Sequence, residues 1–418
     1  MSEGRNHHPH DQGPDALAAA RRVLSRTPLV DGHNDLPWAI RENGAAPLDL
    51  DAYRLGGRSP GHTDLTRLRQ GMVGAQFWAA YVSCDAAAGG ATRMALEQLD
   101  LARRLTSDNP DVLEAATTSD DVRRIFARGR IASLLGVEGG HAIENSLGAL
   151  RTFAELGVRY LTLTHNCHAD WVDAGNLAPR HGGLTAFGRE VIREMNRLGM
   201  MVDLSHTSPA VMNAALDVSE APVVWTHAGA RALVDHTRNV PDDVLVRVPG
   251  NRGIVMITFV PSFMSSEHLA WNRRERAERK RLEAEHGAKS EASRASLDAW
   301  REANPAPRAT LAQVADHVDY IRAVVGTDHV GIGSDFDGIE HVAEGLEDVS
   351  TFPALFAELI RRGWSEGDLA KLAGENILRV MRQTEEVAAR LQRERRPSTA
   401  TIEALDRYAT SSPALRTP

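Results

Sequence analysis

The chain has 418 residues and only two cysteines, Cys84 and Cys167. Two cysteines are too few for a disulfide framework or an all-cysteine zinc site, so a metal ion would be bound by histidine and carboxylate side chains. The sequence also lacks an apolar run long enough to span a bilayer, and its first residues, MSEGRNHHPHDQGPDALAAARR, lack the apolar core of a secretory signal. We therefore expect a cytoplasmic protein with no membrane partner.

An excess of positive charge is absent as well. The formal net charge is -8 at pH 7, and binding to nucleic acid requires a positive field, so we expect no nucleic-acid partner. Hydrophobic residues make up 42% of the chain and charged residues 25%, which is ordinary for a globular protein. The length suits one large catalytic domain.

Eight short apolar runs recur along the chain, and each precedes a turn and a helical pattern, as in βα units. The predicted strands are residues 28–31, 74–82, 131–137, 159–164, 200–204, 222–226, 253–259 and 329–333. Eight βα units predict a closed parallel (β/α)8 barrel, of the TIM type, rather than an open sheet.

The domain organisation follows from the segments that do not fit the series of βα units. We expect a flexible tail over residues 1–20, one barrel domain over 21–390, and a loosely attached extension over 391–418. Residues 265–308 are dense in charge and in helix-forming residues, which predicts a helical insertion after the seventh strand. This insertion is either a solvated helical hairpin or a lid or oligomer contact over the open face of the barrel.

Ionisable residues stand where the apolar strands end. The strand-end residues are Asp31 to Asp35, Glu138, His165, His206, His227 and Asp335. In a parallel barrel all these ends lie on one face, and active sites of barrel enzymes are built there. Residues far apart in the sequence are therefore expected to converge.

Five of these side chains suit two zinc ions. His33 and Asp35 point the same way from an extended strand, and Glu138 can bridge two ions, while His206 and His227 supply nitrogen ligands. Two ions sharing Glu138 would lower the pKa of a water between them and supply hydroxide near neutral pH, which implies hydrolysis. The alternatives are local: the carboxylates could cap helices or turns, and a lone histidine is more often a core residue.

Seven motifs make the chain resemble the membrane (renal) dipeptidase family of zinc metallopeptidases, from about residue 28 to 385. In order they are DGHNDLPW, GVEGGHAI, LTLTHN, VDLSHTS, THAGAR, RNVPDDVL and GSDFDGIEHVAEGLEDVS. The resemblance implies a barrel with a binuclear zinc centre that cleaves dipeptides, often with a D-residue on the C-terminal side, and a homodimer. It implies that His33 and Asp35 bind one zinc, His206 and His227 the other, and that Glu138 bridges.

The resemblance also assigns substrate-handling residues. His165 would stabilise the developing oxyanion, Arg238 would bind the substrate carboxylate, and Asp335 would assist proton transfer. Each role has a physical reason, because a tetrahedral intermediate needs donors, a carboxylate suits a guanidinium, and a leaving amine needs a proton. Alternatively, Arg238 pairs with the carboxylates at 242 and 243, Asp335 caps a turn beside Asp337, and His165 is a core histidine.

The two cysteines fall at positions that look like a linked pair in extracellular members of that family. They could therefore be neighbours in this chain. In a reducing cytoplasm we nevertheless expect free thiols.

The leading functional interpretation is zinc-dependent dipeptide hydrolysis by a metal-bridging hydroxide. A second uses the same metals to open a lactone or a cyclic amide, and the carboxylate-binding role of Arg238 argues against it without excluding it. A third is a barrel retained as a scaffold, which would be expected to have lost ligands, and none is missing. A phosphate-binding barrel is weaker still, because Asp335 and Asp337 would repel the anion.

Overall fold

The computed structural model describes residues 13–44 and 46–406, and its centre is one parallel sheet of nine strands. The strands are β1 Leu29–Asn34, β2 Val73–Tyr81, β3 Leu113–Ala115, β4 Ile131–Glu138, β5 Val158–Thr162, β6 Met201–Asp203, β7 Val224–Ala228, β8 Ile254–Ile257 and β9 Val330–Ile332. Most are buried on both faces, as expected for a parallel sheet covered by helices.

Eight of the strands close into a barrel. The order is β2-β1-β9-β8-β7-β6-β5-β4, and a pairing between β2 and β4 completes the ring, which confirms the (β/α)8 prediction. Each predicted strand overlaps one strand of this ring. β3 was not predicted; it pairs with the first residues of β4, while β5 pairs with residues 135–138 of the same strand, so β3 lies outside the ring.

Helices alternate with the strands and cover the outside of the barrel. From the N-terminus to β7 they are α1 Gly13–Leu24, α2 Leu36–Arg41, α3 Leu65–Gln70, α4 Ala91–Ser107, α5 Ser119–Ala127, α6 Leu147–Glu155, α7 Ala186–Leu198 and α8 Pro209–Val218. From β7 to β9 they are α9 Asp242–Leu245, α10 Val248–Asn251, α11 Pro261–Met264, α12 Ser266–His286, α13 Glu291–Ala303 and α14 Leu311–Val325. After β9 they are α15 Phe352–Arg361, α16 Glu366–Ala370, α17 Asn376–Glu394 and α18 Ile402–Leu405.

The interior of the barrel is filled by side chains. Phe77, Tyr160 and Met256 are among the residues packed there, and all three are buried. A Cβ atom on Gly136 would collide with the Tyr160 ring, so the glycine makes room for a tyrosine inside the barrel. This matters for the site because the Tyr160 hydroxyl contacts a histidine at the top of the barrel.

The two ends of the domain differ from the prediction. Residues 13–20, expected to belong to the flexible tail, are the first part of α1, which packs against α15. α17 continues to Glu394 and the chain beyond it is held to the barrel: Ser398 donates to Glu194, and Asp406 accepts from the backbone of Phe187. The extension is therefore not loosely attached up to residue 406. Residues 1–12 and 407–418 lie outside the described residues.

The charged insertion forms the helical hairpin α12–α13. The two ends of the hairpin are joined, because Trp271 Nε1 in α12 donates to the carbonyl of Asn304, directly after α13, at 2.7 Å. Between the helices, the buried carboxylate of Glu275 accepts from Arg279 at 2.8 Å and from Arg301 at 2.7 Å. The hairpin thus has an internal polar core, and Arg273 attaches it to the loop after β7 by donating to the carbonyl of Asp235 at 3.1 Å.

The cysteine prediction is wrong in this structure. Cys84 and Cys167 form a disulfide with their Cα atoms 5.9 Å apart, because the loops after β2 and β5, the two strands that flank β4 in the barrel, come together. The bond joins segments separated by 83 positions in the sequence. Among the described residues, no helix has both the length and the apolar character needed to cross a membrane.

Candidate metal centre and active site

The predicted site residues lie at the carboxyl ends of the barrel strands. His33, Glu138 and His227 belong to β1, β4 and β7. The others follow a strand by at most three positions or stand in the loop after β7, and they are Asp35, His165, His206, Asp335 and Arg238. The barrel brings all eight side chains to one cavity or its floor.

The five predicted metal ligands form one compact cluster, which we call the ligand ring. Its centre is Glu138, whose Oε1 lies 3.0 Å from His206 Nε2 and 3.4 Å from His227 Nε2. The other carboxylate oxygen, Oε2, lies 3.7 Å from His33 Nε2, which is itself 3.3 Å from Asp35 Oδ2. Glu138 therefore faces one histidine–aspartate pair with one oxygen and two histidines with the other.

Residues deeper in the barrel orient the histidines. The Tyr160 hydroxyl lies 3.0 Å from His33 Nδ1, so the opposite nitrogen points to the carboxylates. The hydroxyl of Thr226 donates to Asp203 at 2.7 Å and lies 2.9 Å from His227 Nδ1. Because the single proton of this hydroxyl goes to Asp203, His227 must donate from Nδ1 and present a lone pair at Nε2.

This arrangement fits metal ions. The lone pair of His227 Nε2 and an oxygen of Glu138 face each other, and a metal ion bound by both atoms would satisfy them. Burial raises the pKa of Glu138 to about 8, and the charge of Asp35 contributes to this rise. The ionised form of Glu138 is therefore unfavourable here without a positive charge beside it. Three overlapping groups of possible ligands meet here: His33–Glu138–His227, Glu138–His165–His206 and His33–Asp35–Asp335.

Unusual backbone conformations present two of the side chains. His206 has a φ of 67° and Asp335 a φ of 69°, in the left-handed region that residues other than glycine rarely adopt. Such strained positions concentrate at functional sites, where the surrounding structure holds them. A side chain at Gly338 would collide with the carboxylates of Asp35 and Asp335, so this glycine leaves room for the two acids to meet.

His165 and Arg238 stand beside the ligand ring. The His165 ring is 4.3 Å from that of His206, and burial together with the charge of Arg238 lowers the pKa of His165 to about 3, so the ring is neutral. Arg238 is 4% exposed; its Nη2 donates to the carbonyl of His227 at 3.1 Å, while Nε and Nη1 have no partner in the described part of the chain.

The structural alternatives for Arg238 and Asp335 do not hold. In residues 13–44 and 46–406, Nε and Nη1 of Arg238 have no hydrogen-bond partner and its Nη2 donates to a backbone carbonyl, while Asp242 accepts from Tyr320 at 2.7 Å. Asp335 contributes a carboxylate oxygen to the group with His33 and Asp35. Both side chains are directed at the site.

The cavity over the ligand ring has a volume of about 790 Å³. Trp38 and Tyr81 line one side, with ring centroids 4.6 Å apart. Another side, which we call the outer wall, consists of the loop after β7, α11, the hairpin and the loop after β9. Its residues include His236, Phe263, Trp271, Arg276, Arg279, Lys280, Arg301, Glu340 and His341. The insertion thus covers the open face, as one of the two interpretations of its sequence proposed.

Several residues of the site were not predicted. Tyr160, Thr226 and Asp203 are strand residues, and nothing in an apolar strand pattern distinguishes an orienting side chain from a packed one. His236 was not predicted either, although its position two residues before Arg238 in a polar loop indicates that it lies near the site.

A closed parallel barrel that gathers histidines and carboxylates around a deep cavity is the architecture of a metal-dependent barrel hydrolase. Residues 17–395 match the family described as membrane dipeptidase (peptidase family M19), and the chain belongs to this family.

The relatives agree with this assignment. The chain is 41% identical to dipeptidase 3 of Mus musculus over 373 residues, which is 88% of this chain but 66% of that protein, just under two thirds of its length. It is also 41% identical to dipeptidase verJ of Clonostachys rogersoniana, covering 90% of this chain and 89% of that one. A metallopeptidase from Rhodobacter sphaeroides, solved with a phosphinate mimic of the dipeptide L-Ala-D-Ala, is 28% identical with a TM-score of 0.67, covering 86% of this chain and 99% of that one.

Proposed function

We propose that this chain is a dipeptidase that hydrolyses the peptide bond of dipeptides, including those with a C-terminal D-residue, at two zinc ions. The observation that carries the proposal is the ligand ring itself, with Glu138 between one histidine–aspartate pair and two histidines. A donor set of imidazole nitrogens and carboxylate oxygens suits zinc, and a carboxylate with both oxygens engaged suits a bridge.

The ligands divide between the two ions. His33 and Asp35 would hold one ion, His206 and His227 the other, and Glu138 would join them. When bound, such a pair supplies Lewis acidity and a water that ionises near neutral pH. The division accounts for the buried Nε2 of His33, which has no hydrogen-bond partner among the described residues.

Arg238 supports a substrate with a free carboxylate. Its guanidinium is buried and lines the cavity beside the ligand ring, and two of its nitrogen atoms have no partner among the described residues. A carboxylate binds well to a guanidinium through two parallel hydrogen bonds. The C-terminus of a dipeptide would meet both requirements, because its carboxylate stands one residue from the bond to be cleaved.

Two further side chains would handle the reacting atoms. His165 is neutral and therefore has one N–H group to donate to the oxygen of the tetrahedral intermediate. Asp335 lies with His33 and Asp35 on the other side of the ring and would pass a proton to the departing amine. Bound ions would offset the cost of burying the Glu138 carboxylate as an anion.

Metal analysis combined with a substrate panel tests this proposal. The purified protein should contain about two zinc ions per chain, and a chelator should abolish cleavage of L-Ala-L-Ala and L-Ala-D-Ala, with recovery on adding zinc. The same dipeptides as C-terminal amides should be poor substrates. A protein with two metals that cleaves lactones or cyclic amides and no dipeptide would contradict the proposal. The homodimer and the cytoplasmic location stay predictions.

A further inference from the structure

His236 stands beside Arg238 at one end of the cavity. The His236 ring packs on the Phe263 ring with centroids 4.4 Å apart, and the Arg238 guanidinium lies over the same ring at 5.2 Å. Asn239 fixes this loop by donating to the carbonyl of Phe263 at 2.8 Å. Both the imidazole and the guanidinium therefore contact the Phe263 ring, and all three side chains line the cavity.

The hydrogen bonds of His236 determine which ring nitrogen carries the proton. The backbone N–H of Arg238 donates to His236 Nδ1 at 3.1 Å, so Nδ1 is an acceptor. A neutral imidazole has a single N–H, which must then be at Nε2. In the part of the chain that the structure describes, no group accepts a hydrogen bond from Nε2. His236 therefore offers the cavity an unused donor.

The surroundings keep this ring neutral. Burial lowers the pKa of His236 to about 3, with further contributions from the charges of Arg238, Arg276 and Arg273. Arg273 also donates to the carbonyl of Asp235 at 3.1 Å, which ties the hairpin to this loop. Because the ring is uncharged, it does not repel the guanidinium beside it, and both groups can contact the same anion.

We propose that His236 is a substrate-binding residue whose Nε2–H donates to the C-terminal carboxylate that Arg238 binds. This inference rests on the proposed function of the site. Nη2 of Arg238 already donates to the carbonyl of His227. A carboxylate has about four lone-pair sites, so it can accept hydrogen bonds from Arg238 and from a second donor at the same time. The contact would be the same in the bound substrate and in the transition state, so it lowers KM and leaves kcat unchanged.

Three variants test the inference. His236→Leu removes the donor, His236→Gln keeps an N–H group, and His286→Leu changes a histidine at the far end of α12 as a control. Binding of the phosphinate mimic of L-Ala-D-Ala is measured by calorimetry on zinc-loaded protein, together with kcat and KM for L-Ala-D-Ala. For His236→Leu, loss of a hydrogen bond to a charged group should raise Kd and KM about tenfold. His236→Gln should recover most of this loss, and His286→Leu should behave as the wild type.

The outcomes separate this inference from the proposed function. Unchanged binding in His236→Leu, or equal losses in the Leu and Gln variants, would overturn the role of His236. A fall in kcat with constant KM would overturn it too, since it would indicate a structural effect on the metal centre. If the wild type binds the mimic with the expected dependence on His236 but cleaves no dipeptide, the inference holds and the proposed function fails.

Discussion

The ligand ring and the outer wall enclose the same cavity but are built differently. The ring stands on or next to buried strands, and its histidines are held from below by Tyr160 and Thr226. The outer wall is built from loops and from a charged hairpin with many half-exposed side chains, such as Arg279 and Arg301. The ligand ring is held in place by a close-packed barrel, and the outer wall is held by hydrogen bonds close to solvent.

This difference suggests a division of labour. Chemistry at a metal centre requires ligands held to within a fraction of an ångström, which strands provide. Substrate selection tolerates more variation, and loops on a rigid scaffold commonly supply it. We therefore expect changes in the ring to affect metal binding and kcat, and changes in the wall to affect KM or local stability.

The largest effect is expected for Glu138→Gln. The amide cannot supply two anionic oxygens, and replacing an outer-shell partner alone costs up to about 100-fold, so kcat/KM should fall by more than roughly 100-fold together with the metal content. Mass spectrometry of bound metal and dipeptide assays measure both. Glu155→Gln, on the exposed end of α6, is the control. Retained activity with two bound metals would show that the ring does not need the bridge.

Arg238→Met should have the next largest effect. It removes two hydrogen bonds to a charged carboxylate, so kcat/KM for dipeptides should fall by about 100-fold. The C-terminal amides should lose much less, and the metal content should stay unchanged. Arg274→Met, on the exposed face of α12, serves as the control. Equal losses on dipeptides and their amides would mean that Arg238 acts on the ring rather than on the substrate.

The disulfide lies close to the site, because Cys167 follows His165 by two positions. Replacing Cys84 and Cys167 by serine should lower the free energy of unfolding by about 2 to 4 kcal/mol, since the bond closes a long loop. Denaturant titrations of both proteins, with and without reductant, measure this. Reductant should destabilise the wild type and leave the double variant unaffected. Two titratable thiols in the native wild type would contradict the bond.

The smallest effect is expected for Glu275→Gln in the hairpin. This change weakens the charge-assisted hydrogen bonds from Arg279 and Arg301, so amide exchange in α12 and α13 should accelerate about tenfold. Metal content and kcat should not change. Glu285→Gln, at an exposed position near the end of the same helix, is the control. Loss of metal from the Glu275 variant would show that wall and ring are coupled.

Much of the ring could be predicted from the chain alone. Apolar runs at regular spacing indicate βα units, and a closed barrel places all their carboxyl ends together, so His33, Asp35, Glu138, His206 and His227 were expected to meet. The reason is that burial periodicity and strand direction are local properties, and parallel topology converts them into spatial proximity.

The remaining features depend on contacts between distant segments. The proton on His227 Nδ1 is set by Thr226 and Asp203, and the proton on His236 Nε2 by a backbone turn beside Arg238. No residue pattern predicts these, because hydrogen-bond direction depends on three-dimensional geometry of a few tenths of an ångström.

The same distinction explains the wrong predictions. Charge density identified α12 and α13 as helices, but their position over the cavity depends on contacts with the barrel loops, such as the hydrogen bond from Arg273 to the carbonyl of Asp235. Composition suggested free thiols and a loose C-terminal extension, whereas packing brings Cys84 to Cys167 and binds Ser398 to Glu194. Residue type and spacing were sufficient for the barrel and for the convergence of the residues at its strand ends. Tautomers, the wall and the disulfide required the folded chain, since they arise from long-range packing that sequence neighbours do not determine.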